Sequence, residues 1–199
     1  MPEVDPEVSP WNIANIITMA RIVLVPVFAW LLLAAGWLPI RSLTLRWWAV
    51  AIFVIAAFSD KLDGHLARSR GLITDLGKLL DPIADKALTG AAFVLLAWPL
   101  LEIPWWVPVV ILVREFGITF MRMYLRRFAV LPAGRGGKLK TVFQTVAISL
   151  LLMPLGRMPY WVTIIAWAFL AGAIILTVLT GIDYAISGYE LKRQQRVQA

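Results

Sequence analysis

The 199-residue sequence contains no cysteine and few charged side chains. Without cysteine the chain forms no disulfide, binds no metal through thiolates and has no thiol nucleophile. Charged residues make up 16% of the chain, against about 25% in soluble domains, whereas hydrophobic residues make up 60%. This shortage of charge excludes an ordinary soluble domain and predicts an integral membrane protein.

The amino-terminal end lacks basic residues: the first is Arg21, and the charged residues before it are all acidic. A cleavable signal peptide begins with a positively charged region, so we expect none here. Residues 1–10 are expected to form a flexible lead and residues 188–199 a basic cytoplasmic tail. Between them we expect one membrane domain, spanning residues 11–187.

Apolar runs separated by short polar or proline-containing turns predict an all-α membrane protein with six spans. The runs cover residues of about 13–38, 47–59, 79–98, 105–125, 141–155 and 160–184. Because the second run is short, we expect its helix to continue through Asp60, beyond the hydrocarbon. Glycines predict loops over 71–78 and 126–140, and Pro82 suits the first turn of the third helix.

Lysine and arginine are divided unevenly between the two ends of the predicted bundle. The Asp60 segment, the 126–140 loop and the tail are rich in them, whereas the opposite loops hold only Arg41, Arg46 and Arg157. By the positive-inside rule, we expect both termini to be cytoplasmic in a multi-pass protein of the cell membrane, with a bacterial inner membrane favoured. The net charge of +7 fits contact with anionic lipids, and the hydrophobicity argues against nucleic acid as a partner.

The segment from Asp60 to Asp85 collects carboxylates between two apolar stretches, where charges are costly unless they serve a purpose. Asp60 and Asp63 are three residues apart, and Asp81 and Asp85 are four apart, so each pair shares one helical face. Four carboxylates brought together repel one another unless cations neutralise them. Oxygen ligands favour Mg²⁺, Mn²⁺ or Ca²⁺, and two such ions would suit phosphoryl chemistry.

The spacing within this segment is Asp60-x2-Asp63-Gly64-x2-Ala67-Arg68-x8-Gly77-x3-Asp81-x3-Asp85. It resembles the signature of the CDP-alcohol phosphotransferase family, in which an acceptor hydroxyl displaces CMP from a CDP-linked lipid or alcohol. The resemblance implies a six-helix bundle, a homodimer, and a polar active-site cavity that opens to the cytosol and the lipid. It also implies two divalent cations, Mg²⁺ or Mn²⁺.

The same resemblance implies a role for each matching residue. The metal ligands would be Asp60, Asp63, Asp81 and Asp85, with Asp85 also the catalytic general base. The CDP-lipid would be bound by Asn15, Thr18, Arg21, Asp63, Gly64, Ala67, Arg68, Gly77 and Asp81. For the small residues among these, close helix packing is the alternative interpretation.

Three polar residues of the first helix, Asn15, Thr18 and Arg21, are spaced three apart and therefore share one face. Polar residues in a membrane helix usually serve a function, so this face either turns toward the acidic segment or consists of surface positions near the cytosolic end. The sequence alone leaves both interpretations open.

Basic residues near the fourth and fifth helices predict a pocket for the phosphate of an anionic acceptor. They are Arg114, Arg122, Lys138 and Lys140, and Glu115 is expected to pair with Arg114. The alternative is that these charges only set membrane topology.

Within the family, this region and residues 12–26 resemble the members that use sn-glycerol 3-phosphate, which implies CDP-diacylglycerol as donor and phosphatidylglycerophosphate and CMP as products. Inositol phosphate and phosphatidylglycerol are alternative acceptors. A divalent-cation transporter, which would also hold carboxylates in a six-span bundle, is an alternative of another class.

Overall fold

A computed structural model describes residues 12–37, 42–69, 74–125 and 135–198 of the chain. Over these residues the chain forms helices and turns and contains no strand. The six α-helices are α1 (Ile13–Trp37), α2 (Leu43–Ser69), α3 (Asp75–Ala97), α4 (Trp106–Leu125), α5 (Arg135–Leu151) and α6 (Tyr160–Gln198). A short 3-10 helix, Leu155–Arg157, precedes α6. Within the described residues, the prediction of an all-α protein with six helices is confirmed.

In the described part of the chain, two helices are long and apolar enough to cross a membrane. They are Asn15–Gly36 within α1 and Tyr160–Ile186 within α6, with mean hydropathies of 2.3 and 2.5. Only 28% of each apolar stretch is buried, so most of this surface faces outward, as on a helix surrounded by lipid acyl chains. That the other four helices also span the membrane stays a prediction.

One compact unit comprises Met1–Leu95 and Leu152–Pro154. In it α1 and α2 pack together through Phe28 and Phe53, which are fully buried and have ring centroids 5.9 Å apart. Aromatic rings at this distance contribute both buried apolar area and a favourable ring–ring contact. Helix α2 continues to Ser69, which confirms the prediction that it extends past Asp60.

The second compact unit comprises Leu96–Leu151 and Leu155–Ala199. Here Gly172 of α6 lies so close to Phe143 of α5 that a Cβ on the glycine would be 2.6 Å from ring atoms. The Phe143 ring also meets Phe169, with centroids 5.1 Å apart. The missing side chain at Gly172 therefore allows α5 and α6 to approach closely.

Helix α3 begins at Asp75, before the predicted start near Leu79, so the loop predicted to reach residue 78 is shorter. The Oγ1 atom of Thr74 accepts a hydrogen bond from the Gly77 backbone N–H at 3.1 Å, as an N-capping threonine does. This cap offsets the low helix propensity of glycine, and Gly77 lies in the first turn. The prediction for Pro82 is wrong, because it lies inside the helix and removes one backbone hydrogen bond there.

The start of α5 and the end of α6 also differ from the sequence prediction. Helix α5 begins at Arg135, inside the region predicted as a loop. Each glycine of the pair that follows costs a helix about 1 kcal/mol relative to alanine, so the pair disfavours a helix but does not exclude it. Helix α6 runs to Gln198, whereas its apolar run ends near Tyr184. An apolar run locates only the buried or lipid-facing part of a helix, and polar residues can prolong it.

Candidate active site

One face of α1 is both polar and buried. Asn15, Thr18 and Arg21 expose 3%, 1% and 2% of their surface, respectively. The interpretation of these residues as surface positions is therefore wrong. Buried polar side chains require hydrogen-bonding partners, so their contacts show which part of the chain this face packs against.

Two residues of this face, Asn15 and Thr18, contact the segment that begins α3. The Thr18 hydroxyl donates to Asp81 Oδ1 at 2.8 Å, and Asn15 Nδ2 donates to Thr74 Oγ1 at 2.7 Å. The Oδ1 atom of Asn15 fills the space beside Gly77, where a Cβ would lie 2.6 Å from it. The structure thus brings the polar face of α1 against the first turns of α3, including one of the predicted metal ligands.

Asp81 and Asp85 lie one turn apart on α3, and both are partly exposed. Their spacing places both carboxylates on the same side of the helix. One turn further along, the Thr89 hydroxyl donates to the backbone carbonyl of Asp85 at 2.9 Å. Asp81, Asp85 and Thr89 therefore place polar groups on one side of α3 over about two turns.

The remaining residues of the aspartate motif lie in the last part of α2, and their side chains and surroundings are outside the described part of the structure. They are Asp60, Asp63, Gly64, Ala67 and Arg68. Among the residues that are described, no group of three or more histidine, cysteine, aspartate or glutamate side chains could hold a metal ion. The predicted four-carboxylate cluster therefore stays a prediction.

The two described carboxylates nevertheless have the chemistry that a hard divalent cation requires. Carboxylate oxygens are preferred ligands of Mg²⁺ and Mn²⁺. A hydrogen bond such as that from Thr18 to Asp81 is the kind of contact that orients a metal-binding carboxylate. The donor set of Asp81 and Asp85 thus fits a magnesium or manganese site.

A second polar cluster lies within the unit formed by α4, α5 and α6. Glu115 contacts two cations, because its Oε1 lies 3.4 Å from Arg114 Nη1 and accepts a hydrogen bond from Lys140 Nζ. The side chains of Arg114, Glu115 and Lys140 are only 12%, 19% and 5% exposed. Two cations and one carboxylate leave this cluster with a net positive charge, and we refer to these three residues as the cationic cluster.

Helix α6 provides polar partners for the cationic cluster. Thr180 accepts a hydrogen bond from Arg114 Nη2 at 2.7 Å, and the guanidinium of Arg114 lies 6.0 Å from the centroid of the Tyr184 ring, within cation–π range. Nearby, Gln144 Nε2 donates to Thr177 Oγ1 at 3.3 Å. The contacts with Thr180 and Tyr184 orient the guanidinium of Arg114.

Two of the residues predicted to bind the acceptor phosphate, Arg114 and Lys140, are thus brought together by the fold. The side chains of the other two, Arg122 and Lys138, lie outside the described part of the structure. The expected pairing of Glu115 with Arg114 is confirmed.

Sequence reasoning missed the contact of Glu115 with Lys140 and the contribution of Thr180. A signal for the latter was present, because Thr177 and Thr180 are spaced three apart in an apolar helix, as Asn15 and Thr18 are.

Comparison with known proteins identifies the class. The model of the CDP-alcohol phosphatidyltransferase family matches residues 11–179. A probable phosphatidylglycerophosphate synthase from Mycobacterium tuberculosis is 44% identical over 173 residues, which cover 87% of this chain and 79% of that protein. CDP-diacylglycerol–glycerol-3-phosphate 3-phosphatidyltransferase from Bacillus subtilis is 39% identical over 189 residues, covering 90% and 96%. Cardiolipin synthase (CMP-forming) from Streptomyces coelicolor is 34% identical over 188 residues, covering 92% and 85%.

The chain therefore belongs to the CDP-alcohol phosphatidyltransferase family. The resemblance inferred from the aspartate motif is confirmed. Membership of this family, together with the apolar stretches in α1 and α6, identifies the chain as a membrane protein of phospholipid biosynthesis.

Proposed function

We propose that this protein transfers the phosphatidyl group of CDP-diacylglycerol to a hydroxyl of sn-glycerol 3-phosphate, producing phosphatidylglycerophosphate and CMP. The observation that carries the acceptor assignment is the buried cationic cluster of Arg114, Glu115 and Lys140. An acceptor with a phosphate dianion gains charge-assisted hydrogen bonds from such a cluster, whereas an uncharged alcohol gains none. The names of the relatives from M. tuberculosis and B. subtilis support the same reaction.

The proposed cofactors are two divalent cations, Mg²⁺ or Mn²⁺, held by Asp60, Asp63, Asp81 and Asp85. When bound, they would stabilise the negative charge of the diphosphate and of the departing CMP. Support for this site comes from the chemistry of Asp81 and Asp85 and from the hydrogen bond that Thr18 donates to Asp81.

Asp85 is proposed as the general base. It takes the proton from the acceptor hydroxyl, whose oxygen then bonds to the phosphorus of the phosphatidyl group as the bond from that phosphorus to CMP breaks. A base must come within hydrogen-bonding reach of the proton that it removes, and the partly exposed position of Asp85, one turn beyond Asp81, suits this role.

The acceptor is proposed to be held by Arg114 and Lys140, together with Arg122 and Lys138. These residues bind its phosphate, so its hydroxyl is presented in one orientation and less entropy is lost on reaching the transition state. Glu115 limits the local positive charge and orients both cations.

The CDP-lipid is proposed to lie along the aspartate motif and the polar face of α1. The residues assigned to it are Asn15, Thr18, Arg21, Asp63, Gly64, Ala67, Arg68, Gly77 and Asp81. The contacts of Asn15 and Thr18 with Thr74 and Asp81 support a shared site for the polar face and the motif.

In the cell, the protein is proposed to be a homodimer that crosses the cell membrane several times, with both termini and the active site on the cytoplasmic side. The asymmetric distribution of lysine and arginine supports this orientation. The apolar stretches Asn15–Gly36 and Tyr160–Ile186 support the placement in the membrane.

A second candidate, transfer to phosphatidylglycerol, is favoured by the S. coelicolor relative, which is named cardiolipin synthase (CMP-forming). The phosphodiester of phosphatidylglycerol carries a single negative charge, so the cationic cluster would hold it less strongly than the dianion of glycerol 3-phosphate. The two candidate functions are therefore distinguished by which acceptor the protein uses.

The test is an assay of CMP release by the purified protein with CDP-diacylglycerol and Mg²⁺ or Mn²⁺. Glycerol 3-phosphate, phosphatidylglycerol and inositol phosphate are supplied one at a time, and the lipid product is identified. We expect CMP and phosphatidylglycerophosphate with glycerol 3-phosphate. Greater turnover with phosphatidylglycerol or inositol phosphate would replace the acceptor assignment, and no CMP release with any acceptor would overturn the proposed reaction.

A further inference from the structure

Thr18 makes a contact that lipid binding alone does not explain. Its side chain is 1% exposed, and its hydroxyl donates to Asp81 Oδ1, on another helix, at 2.8 Å. Several other helical threonines donate instead to a carbonyl one turn earlier in their own helix, as Thr89, Thr141 and Thr177 do. The Thr18 hydroxyl is therefore directed at a carboxylate across a helix–helix contact.

The neighbouring turn of α1 fixes the same two helices against each other. Asn15 donates to Thr74 and fills the space beside Gly77, one turn before the contact of Thr18 with Asp81. Asn15 and Thr18 thus both contact the segment that begins α3, the later residue of α1 contacting the later residue of that segment. The hydrogen bond from Thr18 is therefore accompanied by a second set of contacts between the same two segments.

We propose that Thr18 is a positioning residue, which orients the Asp81 carboxylate for binding a divalent cation. This inference rests on the proposed function, because it assumes that Asp81 is a metal ligand. A hydroxyl that donates to one carboxylate oxygen restricts rotation of the carboxylate and leaves the second oxygen directed elsewhere. A ligand held in this way loses less freedom when a cation binds, so the affinity for the cation is higher.

The test measures Mn²⁺ binding directly, through the EPR signal of free Mn²⁺, without substrate or turnover. Thr18→Val removes the hydroxyl and keeps the shape of the side chain, whereas Thr18→Ser keeps the hydroxyl. We expect Thr18→Val to weaken Mn²⁺ binding by about 10-fold, the lower end of the range for residues that support metal ligands. We expect Thr18→Ser to bind Mn²⁺ as the wild type does.

Two further variants separate positioning from general damage to the fold. Thr141→Val is the control, because the exposed Thr141 hydroxyl donates to the carbonyl of Gly137 in its own helix, and its Mn²⁺ affinity should not change. In an Asp81→Asn background, Thr18→Val should cause no further loss of Mn²⁺ affinity, since Thr18 acts through Asp81. Thermal unfolding in detergent verifies that each variant is folded.

Wild-type Mn²⁺ affinity in Thr18→Val would overturn the inference. So would an equal loss in Thr18→Ser, because the methyl group and not the hydroxyl would then be responsible. A further loss in the Asp81→Asn background would also contradict action through Asp81. Failure of the proposed function is a different result, because it would appear as absence of CMP release in the wild type, whatever the Mn²⁺ affinities.

Discussion

The contact between Gly77 and Asn15 offers a sharp test of how α1 and α3 pack. In Gly77→Ala, the added Cβ would lie 2.6 Å from Asn15 Oδ1 and 3.3 Å from Thr74 Oγ1. Because non-bonded contacts of carbon are most favourable near 3.5 Å, one of the groups must move by roughly 1 Å. Asn15 cannot move without loss, since it is 3% exposed and donates to Thr74.

The expected cost follows from these contacts. Forcing a methyl group into a packed site costs about 1–3 kcal/mol, and loss of the hydrogen bond between Asn15 and Thr74 adds about 1 kcal/mol. Alanine recovers about 1 kcal/mol through its better helix propensity. We therefore expect Gly77→Ala to lower the free energy of unfolding by about 1–3 kcal/mol, the first two contributions less the third.

The assay is unfolding of the purified protein in detergent micelles, followed by tryptophan fluorescence. Gly117→Ala in α4 is the matched control, because no atom lies within 4 Å of a Cβ at that position. Its stability should stay the same or rise by up to about 1 kcal/mol. Adding Asn15→Ala to Gly77→Ala should remove most of the penalty of the alanine, since the clashing oxygen is then absent.

Equal stability of Gly77→Ala and Gly117→Ala would refute this reasoning. An undiminished penalty of Gly77→Ala in the Asn15→Ala background would refute it as well. If Gly77→Ala instead leaves stability unchanged and raises only the KM for CDP-diacylglycerol, the glycine serves to leave room for the nucleotide and not for helix packing.

Three further predictions concern the chemistry. Asp85→Asn should lower kcat by at least about 100-fold, because a general base is lost, while CDP-diacylglycerol still binds. The control Glu102→Gln should keep wild-type turnover. A near-normal kcat in Asp85→Asn would show that Asp85 is not the base. Lys140→Gln should raise the KM for glycerol 3-phosphate by roughly 10-fold through loss of a charge-assisted hydrogen bond. The control Arg157→Gln should leave this KM unchanged. An unaltered KM in Lys140→Gln would show that the acceptor phosphate binds elsewhere. Chelation of divalent cations should abolish CMP release and added Mg²⁺ or Mn²⁺ should restore it, whereas activity that persists after chelation contradicts the metal assignment.

Residue spacing along the chain predicted the candidate residues and some of their local relations. The motif from Asp60 to Asp85 indicated the family through its resemblance to a known signature, and helical periodicity placed each pair of aspartates on a common face. The same periodicity singled out Asn15 and Thr18, and the adjacent Arg114 and Glu115 were correctly paired. Each of these predictions depends on residues that are near one another in sequence.

Contacts between distant segments could not be predicted in this way. The hydrogen bond from Thr18 to Asp81 and the contact of Lys140 with Glu115 both depend on how one helix is rotated and shifted against another. Spacing within a helix does not set these quantities. They result from side-chain packing, including the close approaches at Gly77 and Gly172.

The sequence by itself therefore determined the composition of a membrane protein, the number of helices and the aspartate motif, because hydrophobicity and helical period are local properties. Only the tertiary structure decided that the polar face of α1 is buried against α3 and that Glu115 joins Arg114 to Lys140. Both arrangements place polar groups where water is scarce, and an unpaired group there is costly. The hydrogen bonds of Asn15, Thr18 and Lys140 each give such a group a partner from a distant part of the chain.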